Sequence, residues 1–272
     1  MTEENPEKYS SLFHQVFPLH EVGGKWEELS KKIPLLPRGW FELSCLPRED
    51  RVEFTRDYWL TKLPFVCPRG HLLEERLAQF FATCDDVGVF LTQEKPNSPF
   101  SVHMVYMLED DVGFFQGGPP ASDETVALVQ KQFQSFTLPP DYLAFLQIHD
   151  GFSKYTDTGL IKTKNLVRTY QHLQHILSED LLVRPDGEIL NPSSLIPFYE
   201  SFGLHCYQCF HTGWHPGDEI GNVYFTEYEM TISNYLDEEK LEENLAFTTF
   251  LSWLVFYLED ISPIRASDVH GA

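Results

Sequence analysis

Apolar and polar positions follow two rhythms along this chain, and the helical one is clearest in residues 138–152, LPPDYLAFLQIHDGF. Tyr142, Phe145, Leu146 and His149 fall at i, i+3, i+4 and i+7, which is one face of a helix. Pro140 suits a first helical turn, where a missing N–H costs nothing, and Asp150-Gly151 supplies the stop. The pattern predicts a short core helix with an aromatic, Phe152, just past its end. The same spacing predicts a helix over 71–83, carrying Leu72, Leu73, Leu77, Phe80 and Phe81. A further helix is capped by Ser122 and carries Val126, Val129, Gln130 and Phe133; another is capped by Asn165 and carries Leu166, Tyr170, Leu173 and Leu177. In the closing helix Phe247, Phe250, Leu251, Leu254 and Leu258 form a stripe that Trp253, Phe256 and Tyr257 widen until little of the circumference is polar. Such a helix is expected to lie between layers.

The two-residue rhythm predicts strands. Residues 40–45 and 51–60 read as a hairpin across the turn chemistry of 47–50, and 87–92 and 100–108 as a second antiparallel pair around QEKPNSP. Shorter strands follow at 195–198, 205–211 and 221–225, broken by glycine and proline. Residues 26–32 suit a short helix, while 11–20 fit either a short helix or a segment draped over the surface. The run EDDVGFFQGGPPAS, 109–122, is acidic and glycine-rich and reads as a boundary, with Gly117 and Gly118 as linker. The fold class is therefore α+β. An N-terminal domain over 1–115, ββαββ in outline, precedes a second domain over 122–260, then a tail over 261–272.

Length and composition agree with two compact domains: 272 residues, 42% apolar and 14% aromatic. Charge adds something the pattern does not. The formal net charge is −21, and residues 121–260 hold 21 acids and 7 bases, a net of −14. Such a surface argues against nucleic-acid phosphates and anionic membranes as partners, because binding there depends on Lys and Arg displacing counterions. It favours a basic protein partner, the alternative being that the acids serve only solubility. The N-terminus MTEENPEKYSS lacks the basic-then-apolar order of an export signal, and the most apolar run, 247–258, is short of the roughly 20 residues a spanning helix needs. Five cysteines suit reduced thiols and a cytoplasmic location.

Candidate chemistry is sparse. Phosphate-loop, dinucleotide, nucleophile-elbow and HExxH motifs are missing, and no cofactor is expected. The sharpest local signal is HCYQCFHTGWH, 205–215, in which Cys206, Cys209, His211 and His215 are the ligand types of a tetrahedral zinc site. Strand alternation, however, places Cys206 opposite Cys209 and His211, and the competing reading is a half-buried strand with small apolar cysteines. Asp85-Asp86 and Asp110-Asp111 read as solvated turn acids, and His149 as a helix-end cation or a core histidine. Aromatic and acidic residues together suit an interface better: Trp214, Asp218 and Glu219 in one loop, and the run Asp237, Glu238, Glu239, Glu242, Glu243. The alternative for that run is an acidic helix start favoured by the helix dipole.

The order of these features resembles the SUKH superfamily, which includes fungal cell-wall synthesis regulators and bacterial immunity proteins. An acidic amphipathic helix leads to LPPDYLAFLQIHDGF, similar to that family's proline pair, tyrosine, aromatic, leucine and terminal turn. TGLIKTKNLVRTYQHL, LIPFYESFGLHCYQCF and GNVYFTEYE then stand where the family has a short strand and helix, a strand–glycine turn–strand and a glycine-led strand. After Phe210, where the family often has Asp, this chain has His211, so no role of that acid carries over. The resemblance implies an α+β domain whose sheet is covered by helices, used as a protein-binding module with no shared catalytic mechanism, in a family whose bacterial members commonly neutralise toxins, often basic nucleases. Two other readings stay open: a metal-dependent hydrolase built on Cys206, Cys209, His211 and His215, and an acidic secretion-chaperone-like protein.

Overall fold

The computed structural model describes residues 7–66, 70–108, 113–133, 136–155, 157–179 and 181–259. The chain opens with α1 (Glu7–Ser10), β1 (Gln15–Pro18), α2 (Leu19–Val22) and α3 (Trp26–Lys32). Next come α4 (Arg38–Ser44), α5 (Arg48–Lys62), α6 (Gly70–Ala82), β2 (Cys84–Gln93), β3 (Ser101–Leu108) and β4 (Phe114–Gly117). The second half holds α7 (Asp123–Gln132), α8 (Pro140–Leu146), β5 (Phe152–Lys154), β6 (Gly159–Leu160), α9 (Thr163–Glu179) and β7 (Leu195–Ser201). It closes with β8 (Cys206–His211), β9 (Asn222–Thr226), β10 (Thr231–Ile232), β11 (Ala246–Phe247) and α10 (Phe250–Glu259). The fold is α+β, with two antiparallel sheets ordered β1-β2-β3-β4-β5 and β10-β9-β8-β7-β6, β11 pairing β9.

The expected hairpin over 40–45 and 51–60 is instead two helices, α4 and α5. Pro37 and Pro47 stand at their N-caps with extended ψ, and proline is favoured where a helix begins. The buried stripe of α5 is Arg51, Thr55 and Trp59 at i, i+4, i+8. Two of those three are polar, so the helical rhythm is invisible to a search for apolar residues. Arg51 is tolerated there because its guanidinium meets both carboxylate oxygens of Asp86, at 3.0 and 2.6 Å, and a buried charge needs such a partner. Asp86 is thus half of a buried ion pair, where a solvated turn acid was expected.

The expected boundary also changes character. Residues 109–112 lie outside the described residues, but Phe114–Gly117 is a strand that joins β3 to β5. Gly117 and Gly118 make room for His149: a Cβ on Gly117 would lie 2.2 Å from the imidazole, and the Gly118 carbonyl accepts a hydrogen bond from Nδ1 at 2.9 Å. The expected tail over 261–272 lies outside the described residues.

The 138–152 stretch is the centre of the core. α8 runs from Pro140 and stops at Leu146, one turn short of His149. Tyr142 packs against Phe198, Phe210 and Phe250 on the second sheet's side, while Phe145 packs against Trp59 and Phe152 on the first's. Asp141 accepts the N–H groups of Tyr142 and Leu251, tying α8 to the start of α10. Asp150 caps α9 from outside, accepting the N–H and hydroxyl of Thr163 at 2.7 Å each, so α9 begins two residues before the expected Asn165 cap. Ser122 caps α7 as expected, accepting from Thr125 N–H. In β7 a bulge between Pro197 and Tyr199 puts the consecutive rings of Phe198 and Tyr199 both against Trp253 of α10. α10 is buried nearly all round, as its sequence requires.

Candidate functional site

The β8–β9 connection is a closed loop. His211 N–H donates to the Gly221 carbonyl, Gly221 N–H to Trp214, and Trp214 N–H back to His211, at 2.9–3.0 Å. Pro216, Gly217 and Asp218 turn the tip, with Gly217 at φ +62° and Asp218 at φ +70°, a left-handed pair in which glycine is at ease and aspartate is among the better-tolerated residues. Gly221 is required for another reason: a Cβ there would sit 2.2 Å from the Trp214 ring. Trp214 therefore packs closely over bare backbone, half-buried, with the Tyr235 ring at 5.1 Å. Asp218 is exposed and Glu219 half-buried beside it. The three residues singled out from the sequence share this one loop, Trp214 half-buried at its base and Asp218 exposed at its tip.

The second acidic group joins it at one end. Tyr235, 4% exposed, continues two residues later into Asp237, and a 3-10 turn carries Glu238 and Glu239 outward. These acids do not open the last helix, because β11 intervenes; the start of α10 is served by Asp141 and by the Thr249 hydroxyl, which accepts from Ser252 N–H. Glu242 is not part of a free acidic run either, since it pairs with Arg76, which also holds Glu259.

The four candidate zinc ligands do not converge. Cys206 is half-exposed with its thiol toward the Leu204 carbonyl, while Cys209 is fully buried and its thiol is pushed up by that burial. His211 accepts the Gly213 N–H at Nδ1 and packs edge-on against Tyr235, and burial lowers it to about 4. His215 is exposed. Among the described residues no group of three or more His, Cys, Asp and Glu has the arrangement of a metal site.

Sequence reasoning passed over the neighbour that completes this surface. Residues 181–190, LLVRPDGEIL, form a hairpin in which Val183 bridges Ile189 and Leu190 N–H donates to the Leu182 carbonyl. Its tip is Pro185-Asp186-Gly187, with Gly187 at φ +85°. The Asp-Gly turn between alternating aliphatics was the available signal. Arg184 pairs with Asp186 and Glu188, and the turn that follows the hairpin reaches the Trp214 loop where Thr212 N–H donates to the Ser194 carbonyl at 2.9 Å.

Among the described residues no helix is long and apolar enough to cross a membrane. No curated protein and no solved structure matches the chain. The model of the SMI1 / KNR4 family (SUKH-1) matches residues 120–254, a span that runs from just before α7 into α10 and contains α8, the second sheet and the Trp214 loop. Residues 120–254 are thus a SUKH-1 domain of the SMI1 / KNR4 type, within a longer chain.

Proposed function

We propose that this protein is a non-enzymatic interaction module of the cytoplasm, immunity-like or regulatory, that binds a basic protein partner through the Trp214 face of its SUKH-1 domain. A SUKH-1 domain supports the coarse reading of a protein-interaction module. The observation that carries the finer one is the held Trp214 ring: an aromatic fixed on Gly221 and Tyr235, half-open, with Asp218 and Glu219 in the same loop and Asp237 two residues beyond Tyr235. A rigid aromatic loses little entropy on binding, and a fringe of one charge sign speeds encounter with a partner of the other.

The experiment is affinity capture from native cells with the full chain and, in parallel, with a W214A/D218K/E219K variant of the same secondary-structure content. A basic protein recovered by the first and not by the second supports the proposal. Equal recovery by both places the binding elsewhere and overturns it.

A further inference from the structure

α9 carries its charges against the direction its own dipole favours. From Thr163 to Ser178 it holds no Asp or Glu, in a chain with 41 of them, and its one acid is the last residue, Glu179. Its bases begin at the other end: Lys164, Arg168 and His172 recur every fourth residue, about 6 Å apart along the axis, and all three are exposed. A helix dipole favours acids in the first turn and bases in the last, and like charges four residues apart repel. Among the described residues neither Lys164 nor Arg168 has a carboxylate at ion-pair distance, so neither cost is offset within the fold. Lys162, just ahead of the helix, differs, since Asp150 and Glu94 lie near enough to offset it in part. At the far end of the row the His172 ring packs edge-on at 5.3 Å against His205, whose Nδ1 is 2.7 Å from Glu227, so an acid closes the row there. The row is also apart from the Trp214 loop: His205 precedes the first residue of β8 and Trp214 lies just beyond its last, with roughly 17 Å of strand between.

We infer that this face of α9 is a second binding surface, opposite in sign to the Trp214 face, and that it takes an acidic protein segment whose carboxylates recur once per helical turn. Charge complementarity selects the occupant: Lys164 and Arg168 are cations that the fold leaves without a counter-charge, and the spacing of the row matches Asp or Glu at every fourth residue of a facing helix. Beyond about 8 Å the acid excess elsewhere on residues 121–260 is screened at physiological salt, so a short segment feels chiefly the row it touches. A nucleic acid or an anionic membrane is a poorer match. Either would extend past the row onto the acids of the domain, and nucleic-acid binding draws on about six to ten phosphate contacts where this row offers three groups. The inference does not rest on the Trp214 reading, and it gives the domain two ends that recognise unlike charge.

The test uses the full chain and three synthetic probes: an alanine-rich helical peptide with glutamate at every fourth position, the same peptide with glutamine in those places, and a short DNA duplex. Fluorescence anisotropy should show the glutamate peptide bound at least about tenfold more tightly than the glutamine peptide or the duplex. K164E/R168E should lose that preference, and D218K/E219K should keep it. Lys164→Glu alone should raise the urea midpoint, because it puts an acid in the first turn and a glutamate four residues before Arg168, and should still weaken the glutamate peptide several-fold. A variant that is more stable and binds less has not lost binding by misfolding. Equal binding of the glutamate and glutamine peptides by the unaltered chain, or a preference that survives K164E/R168E, would overturn the inference and leave the Trp214 reading untouched. A lower urea midpoint for K164E would show that the lysine serves the fold and would overturn it too. A duplex bound more tightly than the peptide and lost in K164E/R168E would assign the face to nucleic acid, and a concentration-dependent dimer in sedimentation that K164E/R168E abolishes would assign it to a second copy; either result also overturns the proposal.

Discussion

The hydroxyl of Tyr106 donates to Nε2 of His149 at 2.6 Å, in the interior between the two halves of the chain. Trp59 Nε1 donates to the same hydroxyl oxygen at 3.0 Å, and His149 Nδ1 donates to the Gly118 carbonyl. The chain of donors fixes His149 as the neutral Nδ1–H tautomer and links α5, β3, the 138–152 stretch and the glycine pair before α7. A helix-end cation was one expectation for His149; the structure makes it a core histidine with both nitrogens used. Tyr106→Phe leaves Nε2 and the Trp59 N–H without partners and should destabilise the protein by about 1–3 kcal/mol in urea unfolding. A loss below a few tenths would mean the network carries no weight.

Acid should weaken the fold before its carboxylates are neutralised. Burial lowers His103, His149 and His211 to about 4 from their ordinary 6.5, so the unfolded chain binds their protons first. Their contribution is complete above pH 6.5 and is lost as pH falls toward 4. Asp141 acts the other way: burial raises it to about 6 from 3.8, so its contribution is present below 3.8 and is lost as pH rises through 6. Three groups against one leave the histidines in charge. Urea midpoints should fall steadily between pH 6.5 and 4.5; a flat profile there contradicts this.

Arg51 and Asp86 show why the first half was misread and give a sharp test. Arg51→Met leaves Asp86 buried without its counter-charge and should cost about 3–5 kcal/mol, while R51M/D86L, which removes both charges, should cost much less. Equal losses in the two variants would show that the pair's charge is not what matters.

Gly221→Ala should dislodge the Trp214 ring, because the new Cβ would overlap it. The expected signs are a red-shifted tryptophan emission, a loss of about 1–3 kcal/mol and weakened partner binding. Unchanged emission would show that the ring is not held as described.

The second half was legible because its elements are encoded locally. The Pro140 start, the Ser122 cap, the α9 stripe of Leu166, Leu173 and Leu177, and the β7–β8–β9 alternation each need only neighbouring residues to be seen. What was hidden depends on residues far apart in sequence: Asp86 making Arg51 a core residue, Asp150 capping α9, β5 completing the first sheet, and the imidazole of His149 explaining Gly117. At the surface, Trp214, Asp218 and Glu219 could be named from one loop. Tyr235 could not, since it packs against Trp214 and His211 from a segment some twenty residues further along the chain.

The central claim is that an acidic SUKH-1 face binds a basic partner, and its most direct test is the association rate with the captured partner at roughly 25 and 250 mM salt. Steering by Asp218, Glu219 and their neighbours predicts a fall of about tenfold or more in the association rate at the higher salt, and a smaller fall in the D218K/E219K variant. An association rate that is the same at both salt concentrations would contradict the account.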